Sequence, residues 1–221
     1  LVGSEMCIRD RGEIEQVEHT YAVIGNMNEH QLTVVESTWG GRPELVDTTG
    51  IIDYGSLMQL ALERAKTARE AIKVMTGLVK KYGYYSSGES FTIADPNEAW
   101  ILDLIGKGPG RRGAVWVAVR IPDDCIAGHA NYPRIHKIPM DDKENCLYSP
   151  DVISFAREMG YFDGLNKDFS FARAYSPADF GALRACDARV WSFFRKYDST
   201  MDNYLPYVNG CLLYTSDAAD D

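Results

Sequence analysis

A hairpin near the start of the chain sets the strongest constraint on its fold. Tyr21-Ala-Val-Ile24 and Leu32-Thr-Val-Val-Glu36 are strand-like runs, and Gly25-Asn-Met-Asn-Glu-His-Gln31 lies between them. Apolar and β-branched residues bounded by Gly and Asn mark strands joined by a turn. Asn28 and Glu29 read as turn formers with local hydrogen bonds. Two adjacent strands with no helix between them argue against strict strand–helix alternation, so the rest of the chain has to be read for a layered antiparallel arrangement.

Thr38-Trp-Gly-Gly-Arg-Pro43 is a turn-rich link to a pair of helices. The first runs from Tyr54 to Lys66, with Leu57, Leu60 and Ala61 at helical spacing. Thr67-Ala-Arg-Glu70 is a capping box, and Ile72, Met75, Leu78 and Val79 form the buried stripe of the second helix before a stop at Gly83. Strands are expected at Ser90–Ala94, Ala99–Ile105 and Ala114–Arg120, with a fourth beginning at Ile126–Ala130. Their near-continuous apolar runs suggest cover on both faces. Ser149-Pro150-Asp151 and Ser176-Pro177-Ala-Asp179 then open helices, the first ending at Gly160 and the second running through Arg195. The order ββ–αα–ββββ–α–α fits an α/β (α+β) sandwich rather than a Rossmann fold.

Composition closes off several function classes. The chain of 221 residues is 45% hydrophobic with a net charge of -9, and its dispersed Lys and Arg make no basic stripe for nucleic acid. No apolar run is long enough to span a membrane. Five cysteines without CxxC spacing and four histidines without HExxH give no metal site. Gly106-Lys-Gly-Pro-Gly110 lacks the GK[ST] of a phosphate loop. No cofactor is expected.

Six stretches carry a resemblance: Tyr21–Leu32, Glu36-Ser-Thr-Trp-Gly-Gly-Arg42, Glu63–Ile72, Gly83-Tyr-Tyr-Ser-Ser-Gly-Glu-Ser-Phe91, Ala94-Asp-Pro-Asn-Glu98 and His129-Ala-Asn-Tyr-Pro-Arg-Ile135. From Val17 to about Pro206 the chain resembles bacterial dipeptidases of the N-terminal-nucleophile cysteine class, peptidase family C-sixty-nine. The resemblance implies an αββα sandwich, a short peptide as substrate, and a secreted or periplasmic location. It leaves the oligomeric state open. It also implies a Cys at the mature N-terminus whose thiolate attacks an amide and whose own α-amine serves as base.

By the same resemblance Asn131 is the oxyanion donor, and Thr38 is an oxyanion or substrate contact. His129, Glu36 and Arg42 are placed as substrate-binding residues. Each has a plainer reading: Asn131 as a turn former before Tyr132-Pro133, Thr38 as a strand-end hydroxyl, His129 as a satisfied structural histidine, Glu36 and Arg42 as a solvated pair.

The chain also departs from the pattern. Leu1–Arg11 and Cys211–Asp221 resemble translated sequencing-adapter read-through. Native sequence is then expected over 12–210 as a partial catalytic domain, with the αββα core to about 140 and a helical extension after it. Cys7 stands too close to the hairpin to be the nucleophile, and Cys125, Cys146 and Cys186 are internal, so the fragment is expected to be inactive. Two alternatives stay open: an amide hydrolase of the bile-salt or penicillin V kind, and a non-catalytic scaffold of the same fold.

Overall fold

The computed structural model describes residues 12–198 and Met201. The two adapter-like ends, with Cys7 and Cys211, lie outside these residues. The seven strands are β1 (Val23–Ile24), β2 (Met27–Asn28), β3 (Thr33–Trp39), β4 (Gly88–Ala94), β5 (Ala99–Gly106), β6 (Ala114–Ile121) and β7 (Cys146–Tyr148). They form one antiparallel meander in sequence order. Helices α1 (Tyr54–Arg64) and α2 (Ala68–Tyr82) separate β3 from β4, and α3 (Val152–Glu158), α4 (Phe171–Tyr175) and α5 (Ala188–Phe194) follow β7. The class is α+β, as expected, with one sheet among the described residues. No helix among them is long and apolar enough to cross a membrane.

Side chains alternate along each strand, which gives the sheet two working faces. Val34, Phe91, Ile93, Trp100, Leu102 and Leu104 pack on Leu57, Leu62, Ile72, Met75 and Val79 of the helix pair. On the opposite face Ile101, Ile105, Val115 and Val117 meet Ile153, Phe155, Phe171 and Tyr175. Both faces of β5 and β6 are therefore covered, as their apolar runs predict. Each fully buried aliphatic or aromatic side chain contributes roughly 1.5–3 kcal/mol.

The helix termini follow the local chemistry. Asp53 caps α1 by accepting from the Ser56 amide at 2.9 Å. Thr67 accepts from the Glu70 amide at 3.3 Å, and Glu70 reaches back to the Lys66 amide at 2.8 Å. Gly83 ends α2 with φ 79°, a conformation that suits glycine. Asn28 goes well beyond turn formation. Its Nδ2 donates to the Leu62 and Ala65 carbonyls at the end of α1, and its Oδ1 accepts from the His30 and Leu32 amides. The hairpin is thus clamped onto the first helix.

Two sequence expectations are corrected. Ile126–Ala130 is not a strand. The stretch from 122 to 145 is irregular, and β7 at Cys146–Tyr148 pairs with β6 instead. Pro122, Pro133 and Pro139 punctuate that stretch and remove ladder donors, while its polar groups bond to side chains projecting from the sheet. The helix after Ser149-Pro150 starts at Val152, and Asp151 caps it without a side-chain hydrogen bond. In the last helical region, Asp179 caps at the Ala182 amide and a π-helical turn, Ala182–Asp187, leads into α5.

Candidate active site

The site residues gather where the end of β3 meets the start of β4. Register pairs Thr38 with Glu89 and Glu36 with Phe91. Glu36 and Thr38 therefore share the helix-pair face with Glu89, whereas Ser37, Ser90 and Thr92 point to the other face. Gly88 is required here because a Cβ would overlap the Trp39 ring.

Asn131 lies against this corner with φ 55°, a left-handed conformation that asparagine tolerates. Its Nδ2 donates to the Thr38 carbonyl at 2.5 Å, its backbone amide donates to Ser37 Oγ at 3.2 Å, and its Oδ1 accepts from Arg189 Nη2 at 2.7 Å. The amide orientation is fixed on both sides. The second Nδ2 hydrogen has no acceptor among the described residues, and the side chain is exposed.

His129 holds that arrangement from beneath. Its Nδ1 lies 2.6 Å from Ser37 Oγ and its Nε2 lies 2.8 Å from Thr92 Oγ1. Burial, with Arg134 nearby, lowers its pKa to about 4. It is a neutral ring bridging two strands, with both nitrogens engaged. Asp103 on β5 acts the same way further along. It accepts from Ser90 Oγ at 2.6 Å and from the Arg134 and Ile135 amides at 2.9 and 2.8 Å. Burial raises its pKa to about 6, against the pull of those bonds. Arg134 pairs with buried Asp187 at 2.9 Å, which ties the segment to the helix that carries Arg189.

On the helix-pair face, Thr38 Oγ1 donates to Glu89 Oε1 at 2.8 Å and lies 3.4 Å from Glu36 Oε2. Glu89 is fully buried, and desolvation raises its pKa to about 9, with Glu36 adding to the shift. Arg42 does not join this group. Its Nε donates to the Ala174 carbonyl at 2.6 Å and its guanidinium stacks on Tyr161, fastening the chain after β3 to α4. The structure thus places Asn131 and His129 on the Ser37 face of this corner and Glu36 and Thr38 on the helix-pair face, linked through the Thr38 carbonyl, and sets Arg42 apart.

Sequence reading missed Ser37, Glu89, Asp103 and Arg189. Glu89 and Asp103 were detectable in principle, since each interrupts a strand that is otherwise buried throughout. Ser37 and Arg189 carry no such signal. The free thiols lie elsewhere. Cys146 is buried on β7 at the far side of the sheet, with its pKa raised to about 11 by desolvation. Exposed Cys125 is also shifted upward, and Cys186 packs by the Tyr132 ring. No group of three or more His, Cys, Asp or Glu among the described residues could hold a metal ion. A cleft of about 1270 Å³ runs between Val119, Ile138, Phe169 and Phe194 and contains none of the expected site residues. The hydrogen-bonded corner is a better guide to chemistry than that apolar cleft.

An antiparallel sheet backed by helices, with a fixed amide donor and buried carboxyl groups at one corner, defines an α+β protein of the hydrolase-sandwich class. The sequence model of Peptidase family C69 matches residues 4–210, and the chain belongs to this family. It is similar to a probable dipeptidase of Salmonella dublin, 29% identical over 178 residues, covering 77% of this chain and 39% of that protein. A probable dipeptidase of Latilactobacillus sakei is 35% identical over 100 residues, covering 45% of the chain and 20% of that protein. Probable dipeptidase B of Streptococcus pyogenes serotype M1 is 28% identical over 122 residues, covering 55% and 23% respectively. The chain spans well under half the length of these curated relatives.

Proposed function

We propose that this domain serves a cysteine-type dipeptidase, which cleaves the peptide bond of short peptides through a thioester intermediate. Its family and the names of its relatives support that substrate class. The observation that carries the chemistry is Asn131, whose amide is held at both ends and keeps one N–H open. When a thiolate attacks a peptide carbonyl, charge develops on the oxygen, and a fixed neutral donor stabilises it without reorganising. The Thr38 carbonyl and Arg189 hold the donor, and His129 and Ser37 position the backbone under it. The nucleophile is a cysteine bearing a free α-amine, able to act as its own base near neutral pH. Cys125, Cys146 and Cys186 do not take that role. Glu36 and Thr38 face the peptide.

The test is steady-state kinetics of an active preparation on a dipeptide panel, with bile-salt-like and penicillin-like amides as controls. Asn131→Ala should lower kcat by about 10²–10³-fold with KM little changed, the cost of one oxyanion donor. Cys125→Ala, Cys146→Ala and Cys186→Ala should each leave turnover within about twofold, since no reacting atom is lost. Faster cleavage of the acyl amides, or full activity in Asn131→Ala, would tell against the proposal.

A further inference from the structure

The corner formed by Glu36, Thr38 and Glu89 brings two carboxyl groups together with no cation beside them among the described residues. Glu89 is fully buried, and its Oε2 has no hydrogen-bond partner among the described residues. Among the described residues neither Glu89 nor Glu36 makes a salt bridge, although Lys and Arg elsewhere pair readily with carboxylates. The buried Tyr84 hydroxyl is a second polar atom without a partner, and its pKa is pushed up by burial and by the charges of Glu89, Asp53 and Glu36. A buried carboxyl with no cation beside it stays protonated, and an oxygen left there without a partner is a place for a donor from outside. Glu36 and Thr38 are half-buried, so the corner is open on that side.

We infer that the Glu36–Thr38–Glu89 corner binds the protonated α-amine of a peptide substrate. This rests on the peptidase reading and makes it specific for peptides with a free N-terminus. An ammonium brings three N–H donors and one positive charge. The corner offers Glu89 Oε2, the Glu36 carboxylate and the Tyr84 oxygen as acceptors. A divalent metal is a poorer fit, because the described residues hold no cluster of three ligating side chains there.

Thr38 links this corner to the oxyanion donor. Its hydroxyl donates to Glu89 and its carbonyl accepts from Asn131. In a peptide's first residue a single Cα separates the amine from the reacting carbonyl, and Thr38 touches both groups, by its hydroxyl on the helix-pair face and by its carbonyl on the Asn131 side. The groups facing Glu89 are Glu36 and Thr38 from β3 and Tyr84 from the segment after α2, with Asp53 beyond Tyr84. With no cation present Glu89 holds its proton at neutral pH. When the ammonium binds, Glu89 becomes a carboxylate and its proton passes to buffer.

Isothermal titration of the 221-residue chain tests this with Ala-Ala, N-acetyl-Ala-Ala and alaninamide, in phosphate and in Tris. Ala-Ala and alaninamide should bind at least tenfold more tightly than the acetylated peptide, with up to one proton released per ligand. Glu36→Gln and Glu89→Gln should each weaken free-amine binding at least tenfold and leave the acetylated peptide unchanged. Glu89→Gln replaces a group that is already neutral, and half-buried Glu36→Gln is a second variant should the first fail to fold. Equal binding of free and acetylated dipeptides would overturn the ammonium site while leaving the peptidase reading intact. So would free-amine binding that ignores both variants. Alaninamide binding with no gain from the second residue would support the site and tell against the dipeptidase reading. Absence of any amine binding at tens of millimolar would overturn the inference.

Discussion

Asn28 shows how one side chain can couple two elements. It is 5% exposed and makes four hydrogen bonds, two to carbonyls at the end of α1 and two from amides of its own turn. The last carbonyls of a helix lack partners within it, so these donors satisfy groups that would otherwise be buried bare. Asn28→Ala should cost about 2–4 kcal/mol, the penalty of leaving several buried polar groups unpaired. Asn28→Asp should be no better, because a carboxylate has no donors for those carbonyls and places negative charge at the negative end of the helix dipole. Urea unfolding of the two variants checks this; rescue by Asp would show that the turn-side acceptor alone matters. The sequence marks Asn28 as a turn former but gives no hint of Leu62 and Ala65. A contact across more than thirty positions depends on how the helix pair settles on the sheet. Glu89 was more legible: a lone acid in a run buried on both faces has few ordinary explanations. The role proposed for Asn131 comes only through resemblance, since asparagine before Tyr-Pro is by itself an ordinary turn signal.

At the scale of elements, regular structure followed from local chemistry, and the irregular segment did not. The capping box at Thr67, the stop at Gly83 and strands β4 to β6 fall within a residue or two of their expected places, because caps and apolar runs act locally. Within the stretch from 122 to 145 the sequence points to a strand beginning at Ile126. What fixes it is instead a set of polar clamps on the sheet: His129 on Ser37 and Thr92, and Asp103 under the Arg134 and Ile135 amides. Such clamps join residues remote in sequence and leave no periodicity to read. Asp103→Ala should therefore release this segment more than it damages the sheet, at a cost of about 3 kcal/mol for two stranded amides and a stranded serine hydroxyl. Asp103→Asn can turn its oxygen to the backbone amides and its NH₂ to Ser90, and should cost about 1 kcal/mol. Amide hydrogen exchange at Arg134 and Ile135 should accelerate in the Ala variant and stay protected in the Asn variant. Equal protection in both would show that packing of Ile135 alone holds the segment.

For the whole molecule, buried titratable groups of opposite kind shape stability against pH. Glu89 and Asp103 are raised by burial to about 9 and about 6, and both are protonated in the fold below those values. Their stabilising contribution is complete below the ordinary carboxyl range near pH 4 and is lost as pH rises, through about 6 for Asp103 and about 9 for Glu89. His129 and His136 are lowered by burial, to about 4 and about 2. Their contribution is complete above the ordinary histidine value near 6.5 and is lost as pH falls through the lowered values. Between about pH 4.5 and 6 the two pairs oppose one another, so stability should change little. Between pH 7 and 9 the histidines are neutral in both states and Asp103 is ionised in both. Glu89 still takes up a proton on folding, joined toward pH 9 by the raised thiols of Cys146 and Cys125. Stability should then fall by about 1.4 kcal/mol per pH unit, the slope of one proton. Glu89→Gln keeps a neutral acceptor for Thr38 and removes that slope, so its advantage over the unaltered chain should widen steadily from pH 7 to 9. Denaturant midpoints across that range measure the difference directly. Parallel curves for the two proteins would mean that Glu89 is already ionised in the fold, which would also remove the proton release expected when an ammonium enters the corner.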